Sequence, residues 1–506
     1  MVTELHTPVQ AAQWLHGRVR GVLQTDSRRV GAGDGFIAWP GAARDGRQFV
    51  PGALAQGALA CLVERSGAEA YGFADEHIAA YTDLKAASGP IAAAYYEQPS
   101  QQLDVLAVTG TNGKTSTSWW LAQALGALQP AVACGLIGTL GVGRVPAPGS
   151  ADASAIVSTG LTTPDPVLLQ QTLRRFVDEG LTACAIEASS IGITERRLDG
   201  TRIRTAIFTN FTQDHLDYHG SMEAYWLAKA ELFDWPGLRA AVINLDDPKG
   251  VELAATLAAR ALDLWTVSLQ ADAGARLVAQ DIRMGARGVQ FMVCEGEARV
   301  PLSTQTLGDY NVSNLLGVIA TLRTLGVPLV DAVLACHELQ PVPGRMEFQD
   351  GVDLPLAVVD YAHTPDALAQ VLQTLKPLAT QRGGQLWCVF GCGGDRDPHK
   401  RPLMGAAATQ HADHIVLTND NPRSEAPEAI VAQIRPGLAG HGAVQIELDR
   451  AQAIALALGQ ADARDVVLVA GKGHEDYQET AGVRQPFSDR QQVGLALQAR
   501  RTGVTS

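Results

Sequence analysis

Short apolar runs recur along the chain, each ending in polar, glycine- or proline-containing sequence, with stretches of helical period between them. Residues 103–108 form a compact, mostly apolar strand candidate that runs directly into Thr-Gly-Thr-Asn-Gly-Lys-Thr. Residues 183–186, 205–208 and 240–243 have the same character. Between them, residues 166–179 place Val167, Leu168, Leu169, Leu173 and Phe176 at helical spacing. Alternation of this kind predicts an α/β protein built on a mostly parallel, wound sheet. The pattern repeats at 356–359, 386–390, 414–417 and 466–469, so a second wound sheet is expected. Ligands of such sheets lie beyond the carboxyl ends of the strands. A site where two such sheets face each other follows.

Two breaks divide the chain. The first stretch is rich in Gly and Ala, with apolar runs at 35–38 and 60–63, and turns polar at 98–102. The second break is Gln340-Pro341-Val342-Pro343-Gly344-Arg345, where two prolines make helix continuation improbable. Three domains are expected, at 1–100, 101–340 and 341–506. A length of 506 residues, 46% of them hydrophobic and 18% charged, fits about three globular domains of roughly 100–200 residues each.

Charge and cysteine usage narrow the function. Lys plus Arg at 40 against Asp plus Glu at 53 gives −13, which argues against nonspecific affinity for nucleic acid or an anionic membrane. An anionic ligand must therefore be held by local donors. Seven scattered cysteines with no C-x-x-C spacing suggest neither a disulfide framework nor a zinc site. The start of the chain has no basic region followed by an apolar one, and no apolar run is long enough to span a bilayer. A soluble, cytoplasmic protein is expected.

The sharpest chemical signal is Gly110, Thr111, Asn112, Gly113, Lys114, Thr115 and Ser116, placed between a strand and a helix-compatible run at 119–125. Glycines let backbone N–H groups approach phosphate oxygens, Lys114 reaches the terminal phosphates, and the Thr115 hydroxyl can ligate magnesium. The spacing, G-x-x-G-K-T, is two residues shorter than the general phosphate loop. Glu187 and His215 each lie just past a strand and could contribute to a magnesium site; taken alone, either suits a helix cap or a loop. No nucleophile elbow or catalytic cysteine context is present. Transfer of phosphate onto a bound substrate is the chemistry this implies. Later strands end in polar clusters at 391–397, 418–425 and 470–477, two of which carry arginines able to grip a carboxylate bidentately.

Assembled in order, these segments closely resemble the Mur ligase family. The resemblance runs over essentially the whole chain and includes Thr25-Asp26-Ser27-Arg28, the phosphate loop, Thr162-Thr163-Pro164-Asp165, the segment 210–219, Tyr225-Trp226-Leu227-Ala228-Lys229, Asn311-Val312-Ser313-Asn314, Pro343-Gly344-Arg345, Asp360-Tyr361-Ala362-His363 and the three later clusters. It implies an N-terminal domain for the UDP end of the substrate, a central ATPase and a C-terminal Rossmann-like domain that closes over the nucleotide and brings an amino acid. The implied reaction is ATP-dependent amide ligation of meso-2,6-diaminopimelate to UDP-N-acetylmuramoyl-L-alanyl-D-glutamate through an acyl phosphate, in peptidoglycan precursor synthesis.

Carried over position by position, the resemblance makes Lys114, His215 and Lys229 catalytic. It adds Asn311, Asn314, Arg345 and Asp360 to the phosphate loop as ATP contacts. Thr25, Ser27, Thr162, Thr163, Ser189, Glu195 and Arg197 become contacts to the UDP-muramoyl-dipeptide. Arg396, Asp420, Asn421, Pro422, Arg423, Gly471 and Glu475 become contacts to diaminopimelate. Thr115, Glu187, His215 and Lys229, the last as an N6-carboxylysine carbamate, become the surroundings of Mg2+. The chain departs from the family at Ile191, where relatives commonly carry His, and at Glu195, where an amide is expected. A monomer is expected, without nucleic-acid or membrane partners. Two other readings stand beside this one: a ligase of the same family adding L-lysine, and a nucleotide-hydrolysing switch.

Overall fold

A computed structural model of the chain describes residues 2–41, 44–146, 156–285 and 288–502. Three wound sheets follow one another along it. The first is five-stranded and parallel, in the order Thr3–Leu5, Ile78–Tyr81, Ala60–Glu64, Gly35–Ala38, Leu23–Gln24.

The second sheet has ten strands, and Asp104–Thr109 lies inside it, parallel to Thr205–Phe208 on one side and Ala183–Glu187 on the other. Helix Lys114–Ala127 leaves the end of Asp104–Thr109 and is buried over nearly all its length, as is Asp309–Thr324. Both apolar faces of this sheet are therefore covered. Val108, Ile207 and Val242 pack with Trp120, Leu121, Leu316 and Ile319 on one face, while Val105, Ile186 and Ala206 pack with Leu169, Phe176 and Phe233 on the other. The expected strands are present, several of them extended by one residue.

Six further strands of this sheet were not expected: Cys134–Gly138, Gly141–Arg144, Asp263–Ser268 and three at its far edge. Leu277–Gly285, Gly288–Glu295 and Ala298–Thr304 carry the sheet on, the last two antiparallel. Their signal is alternation rather than a continuous apolar run: Val289, Phe291 and Val293 face the core between more exposed neighbours.

The third sheet has six strands in the order Glu347–Gln349, Leu356–Asp360, Val466–Ala470, Leu386–Phe390, His414–Leu417, Val444–Ile446, parallel except for the first. Its strands end at residues 360, 390, 417 and 470, so the three polar clusters and the Asp360 loop share one edge. That edge faces the phosphate loop. Asn112 Nδ2 donates to Asp366 Oδ2 at 3.3 Å, and Gln213 Nε2 donates to Asp397 Oδ2 at 3.4 Å. No helix among the described residues is long and apolar enough to cross a membrane.

Candidate active site

The phosphate loop is shaped by two close approaches that only glycine permits. Gly110 sits at φ +143°, and a Cβ there would meet Thr209 Oγ1 at 1.9 Å; at Gly113, φ +85°, it would meet Asn314 Oδ1 at 2.4 Å. The loop therefore presses against the neighbouring strand end and against helix Asp309–Thr324. Lys114 Nζ donates to the carbonyls of Gly110 and Thr111, both at 2.8 Å, so the cation closes the loop on itself.

Glu187, 1% exposed at the end of its strand, gathers the groups around the start of the loop helix. Its Oε2 accepts from the Thr115 hydroxyl at 3.0 Å and from the Thr139 hydroxyl at 3.0 Å, and its Oε1 accepts from the Thr139 N–H at 2.8 Å. Arg345 Nη2 donates to Thr115 Oγ1 at 3.2 Å, and its guanidinium lies 4.2 Å from the centre of the Tyr361 ring. The Arg345 segment thus reaches from the break between the second and third sheets into the loop.

Lys229 is 1% exposed on helix Met222–Ala230, and its Nζ donates to the Gly110 carbonyl at 2.7 Å over the face of Tyr225. Burial, followed by the nearby Lys114 cation, holds this amine well below the usual lysine range. Burial lowers Lys114 too, against the pull of Glu187 and Asp214.

Asp214 joins the central sheet to the third. Its carboxylate lies 3.4 Å from His215 Nε2, 3.8 Å from His363 Nε2 and 3.7 Å from Lys400 Nζ, the last two belonging to the third sheet's loops and helices. Burial alone would raise this carboxyl; His215, Lys400 and His363 instead hold it well below the usual carboxylate range. Burial pushes His215 down to about 4, and His363 likewise.

Two cavities open from this junction, and another adjoins one of them. One of about 180 Å³ is lined by the phosphate loop, Glu187, His215, Lys229, Asn311, Asn314, Arg345 and Asp360. All the expected ATP and metal groups except Gly110 line it, and Gly110 is tied to two of them through its carbonyl, which accepts from Lys114 and Lys229. A second, of about 530 Å³, shares Tyr310, Asn314 and Gln370 with the first. The third, of about 680 Å³, brings Thr162, Ser189 and Arg197 together with Arg396, Asp420, Asn421, Arg423, Gly471 and Glu475. Asp214, His215 and His363 line both the first and the third. Groups suited to phosphate and groups suited to carboxylate and ammonium therefore meet across one wall.

Several expected residues sit differently. Thr163 is fully buried, donating to the Glu187 carbonyl at 2.7 Å, so it braces the wall from behind. Pro422 is buried within the wall. Glu195 accepts from Lys85, on helix Leu84–Tyr95 beside the N-terminal sheet, at 2.6 Å and from the Tyr218 hydroxyl, and is not among the groups lining the three cavities. As a carboxylate rather than the expected amide, Glu195 forms an ion pair with Lys85. Thr25 and Ser27 lie beside the short strand Leu23–Gln24, likewise outside these cavities. Arg423 adopts the left-handed conformation at φ +52° and donates to the Gly394 carbonyl at 2.6 Å, while Glu475 is already engaged by Lys472.

Asp214, His363, Lys400 and Lys472 were not singled out from sequence. Asp214, His363 and Lys472 lie within recognised segments, but their partners are distant in the chain. No group of three or more His, Cys, Asp or Glu side chains among the described residues forms a ready-made metal cage.

A phosphate loop closed over by a second wound sheet whose edge carries paired charges defines a class of nucleotide-dependent enzymes that act on a third, charged ligand. The match to known proteins narrows that class. Residues 21–96 match the model for the Mur ligase family, catalytic domain; residues 108–322 match the Mur ligase middle domain; residues 344–473 match the Mur ligase, glutamate ligase domain. The chain belongs to the Mur ligase family. It is 59% identical over 505 residues to the UDP-N-acetylmuramoyl-L-alanyl-D-glutamate--2,6-diaminopimelate ligase of Acidovorax sp. (strain JS42), covering 99% of each chain. Identity to the ligase of the same name from Janthinobacterium sp. (strain Marseille) is 49%, over 96% of each. A solved structure of a ligase of that name superposes with a TM-score of 0.63 at 37% identity, covering 95% of each chain. The MurF ligase of Thermotoga maritima, solved in complex with ADP, has the same fold, with a TM-score of 0.65 at 17% identity and coverage of 96% and 98%.

Proposed function

We propose that this enzyme joins 2,6-diaminopimelate, in its meso form, to UDP-N-acetylmuramoyl-L-alanyl-D-glutamate at the expense of ATP, in the cytoplasmic synthesis of a peptidoglycan precursor. The single observation that carries the reading is the wall shared by the phosphate cavity and the larger charged cavity at Asp214, His215 and His363. A nucleotide-hydrolysing switch has no use for the second of these cavities. The domain division at about residues 100 and 340 gives each substrate its own unit: the UDP end with the N-terminal sheet near Thr25 and Ser27, ATP with the central sheet, the amino acid with the third.

The D-glutamyl carboxylate attacks the γ-phosphorus of ATP, and ADP leaves. The amine of diaminopimelate then attacks the acyl carbon, loses a proton, and expels phosphate. Lys114, freed from the Gly110 and Thr111 carbonyls by the nucleotide, neutralises charge on the transferring phosphoryl group. Arg345 follows the same charge from the other side. Asn311 and Asp360 face the nucleotide from the phosphate cavity, and Asn314 joins that cavity to the one of about 530 Å³, which has room for adenosine. Apposition of the third sheet through Asp214 and Lys400 keeps water from the acyl phosphate.

The donor set suits Mg2+. Thr115 and Glu187 supply hard oxygens beside the loop, and Mg2+ takes one or two protein carboxylates with substrate phosphates supplying the rest. When bound, it would add Lewis-acid polarisation of the phosphoryl oxygens. Lys229 fits the carbamate reading for a chemical reason: only the neutral amine adds CO2, and burial beside Lys114 favours that form. Addition of the amine nitrogen to the CO2 carbon releases one proton and leaves an anion facing the loop, with His215 beside it.

The test is release of ADP and phosphate with the UDP-muramoyl-dipeptide and an amino acid supplied separately and together. Release should require both and should favour diaminopimelate. Release from ATP alone would instead favour the switch, and equal use of L-lysine would favour the lysine-adding branch.

A further inference from the structure

Lys472 lies behind the wall of the large cavity. It is fully buried and does not line the cavity, whereas its neighbours Asn421, Glu475 and Tyr477 do. Its Nζ donates to Asn421 Oδ1 at 3.0 Å and to Glu475 Oε2 at 2.8 Å, and stands 5.4 Å from the centre of the Tyr477 ring. Asn421 Oδ1 also accepts from the Glu479 N–H at 2.9 Å, so two donors fix which end of this amide is the oxygen. Its Nδ2 must then face Glu475, and it donates to the same Oε2 at 2.8 Å. Both bonds fall on one carboxylate oxygen.

We propose that Lys472 is a positioning residue for the amino-acid substrate: it fixes Asn421 and Glu475 so that Glu475 Oε1 is presented to the substrate ammonium. This rests on Glu475 binding that ammonium. A buried lysine is costly to hold unless paired, and here the pairing neutralises the carboxylate only on the side away from the cavity. Without the Lys472 ammonium, Asn421 Oδ1 loses one of its two donors and its amide can turn over. Oε2 would then face an oxygen, and the carboxylate would rotate out of register with the ligand.

The experiment measures KM for each of the three substrates in Lys472→Met, Glu475→Gln and the double variant, with melting temperature as the check on folding. Lys472→Met should raise KM for diaminopimelate roughly ten- to a hundredfold, the scale of a charge-assisted bond, and leave KM for ATP and the UDP-dipeptide within about twofold. Because Lys472 acts through Glu475, the double variant should be no worse than Glu475→Gln by more than about twofold. Independent, multiplicative effects of the two substitutions, or a common rise in all three KM values, would overturn the assignment. So would an unchanged KM for diaminopimelate in Lys472→Met while Glu475→Gln raises it. An unchanged KM in Glu475→Gln would overturn the ammonium-site reading on which it rests. Should the Met variant not fold, Lys472→Gln, which keeps a donor for Asn421 but no charge for Glu475, tests the Glu475 contact alone: KM for diaminopimelate should rise by less than in Glu475→Gln, and an unchanged KM beside a raised one in Glu475→Gln would overturn the assignment.

Discussion

Lys229 Nζ donates to the Gly110 carbonyl at 2.7 Å, and Lys114 Nζ donates to that same oxygen at 2.8 Å. Two lysines, Lys229 buried and Lys114 half-buried, thus share one acceptor in the phosphate loop. That is a costly arrangement unless one of them is relieved, and burial together with the other's charge drives Lys229 toward its neutral form.

Lys229 should accordingly react with CO2. Carbon-13 NMR of protein equilibrated with labelled bicarbonate should give one protein-bound carbamate signal that disappears in Lys229→Ala. That variant should lose nearly all activity and regain part of it with a small carboxylate. A wild-type protein with no such signal and full activity would rule the carbamate out.

Lys114→Ala should abolish turnover, by about a thousandfold or more, because the charge developing on the phosphoryl group would go uncompensated. Its melting temperature should change little. Among the described residues the Lys114 ammonium hydrogen-bonds only carbonyls of its own loop, so the fold does not depend on it.

Arg423 should decide between diaminopimelate and L-lysine. The two ligands differ by one terminal carboxylate, and without it the guanidinium keeps only the Gly394 carbonyl. By analogy with truncated buried charge pairs the penalty is about 2–5 kcal/mol, at least roughly tenfold in kcat/KM. Wild type should prefer diaminopimelate by that factor and Arg423→Ala should lose most of the preference; equal preference ratios in the two would contradict the role.

Acid should loosen the junction between the central and third sheets. His215 and His363, both pushed down to about 4 by burial, are neutral in the folded protein where an unfolded chain, at about 6.5, already binds protons. Between these values the unfolded state holds more protons, so stability falls as pH drops from about 6.5 toward 4. Denaturant melts at two pH values should show this slope, and His363→Gln should reduce it. Each ring keeps 38% exposure, which moderates the effect.

Much of this was legible in the chain. The phosphate loop, the strand ends and the three polar clusters are local signals, each a few residues long, and the strands that carry them fall where the apolar runs put them. What escaped is non-local. Asp214 meets His363 and Lys400 only because two sheets face each other, and Lys472 matters only through Asn421, 51 residues away. Glu195 stood out as a departure, yet its meaning depends on Lys85, 110 residues earlier. The antiparallel extension of the central sheet was missed for another reason: half-buried strands alternate, and a search for continuous apolar runs passes over them.

The most direct measurement follows an oxygen atom. With the UDP-muramoyl-dipeptide labelled by oxygen-18 in its D-glutamyl carboxylate, turnover with ATP and diaminopimelate should yield inorganic phosphate carrying one labelled oxygen, since the carboxylate oxygen that attacks the γ-phosphorus leaves with it. Unlabelled phosphate released at the same rate as amide formation would contradict an acyl phosphate, and with it the central account of this site.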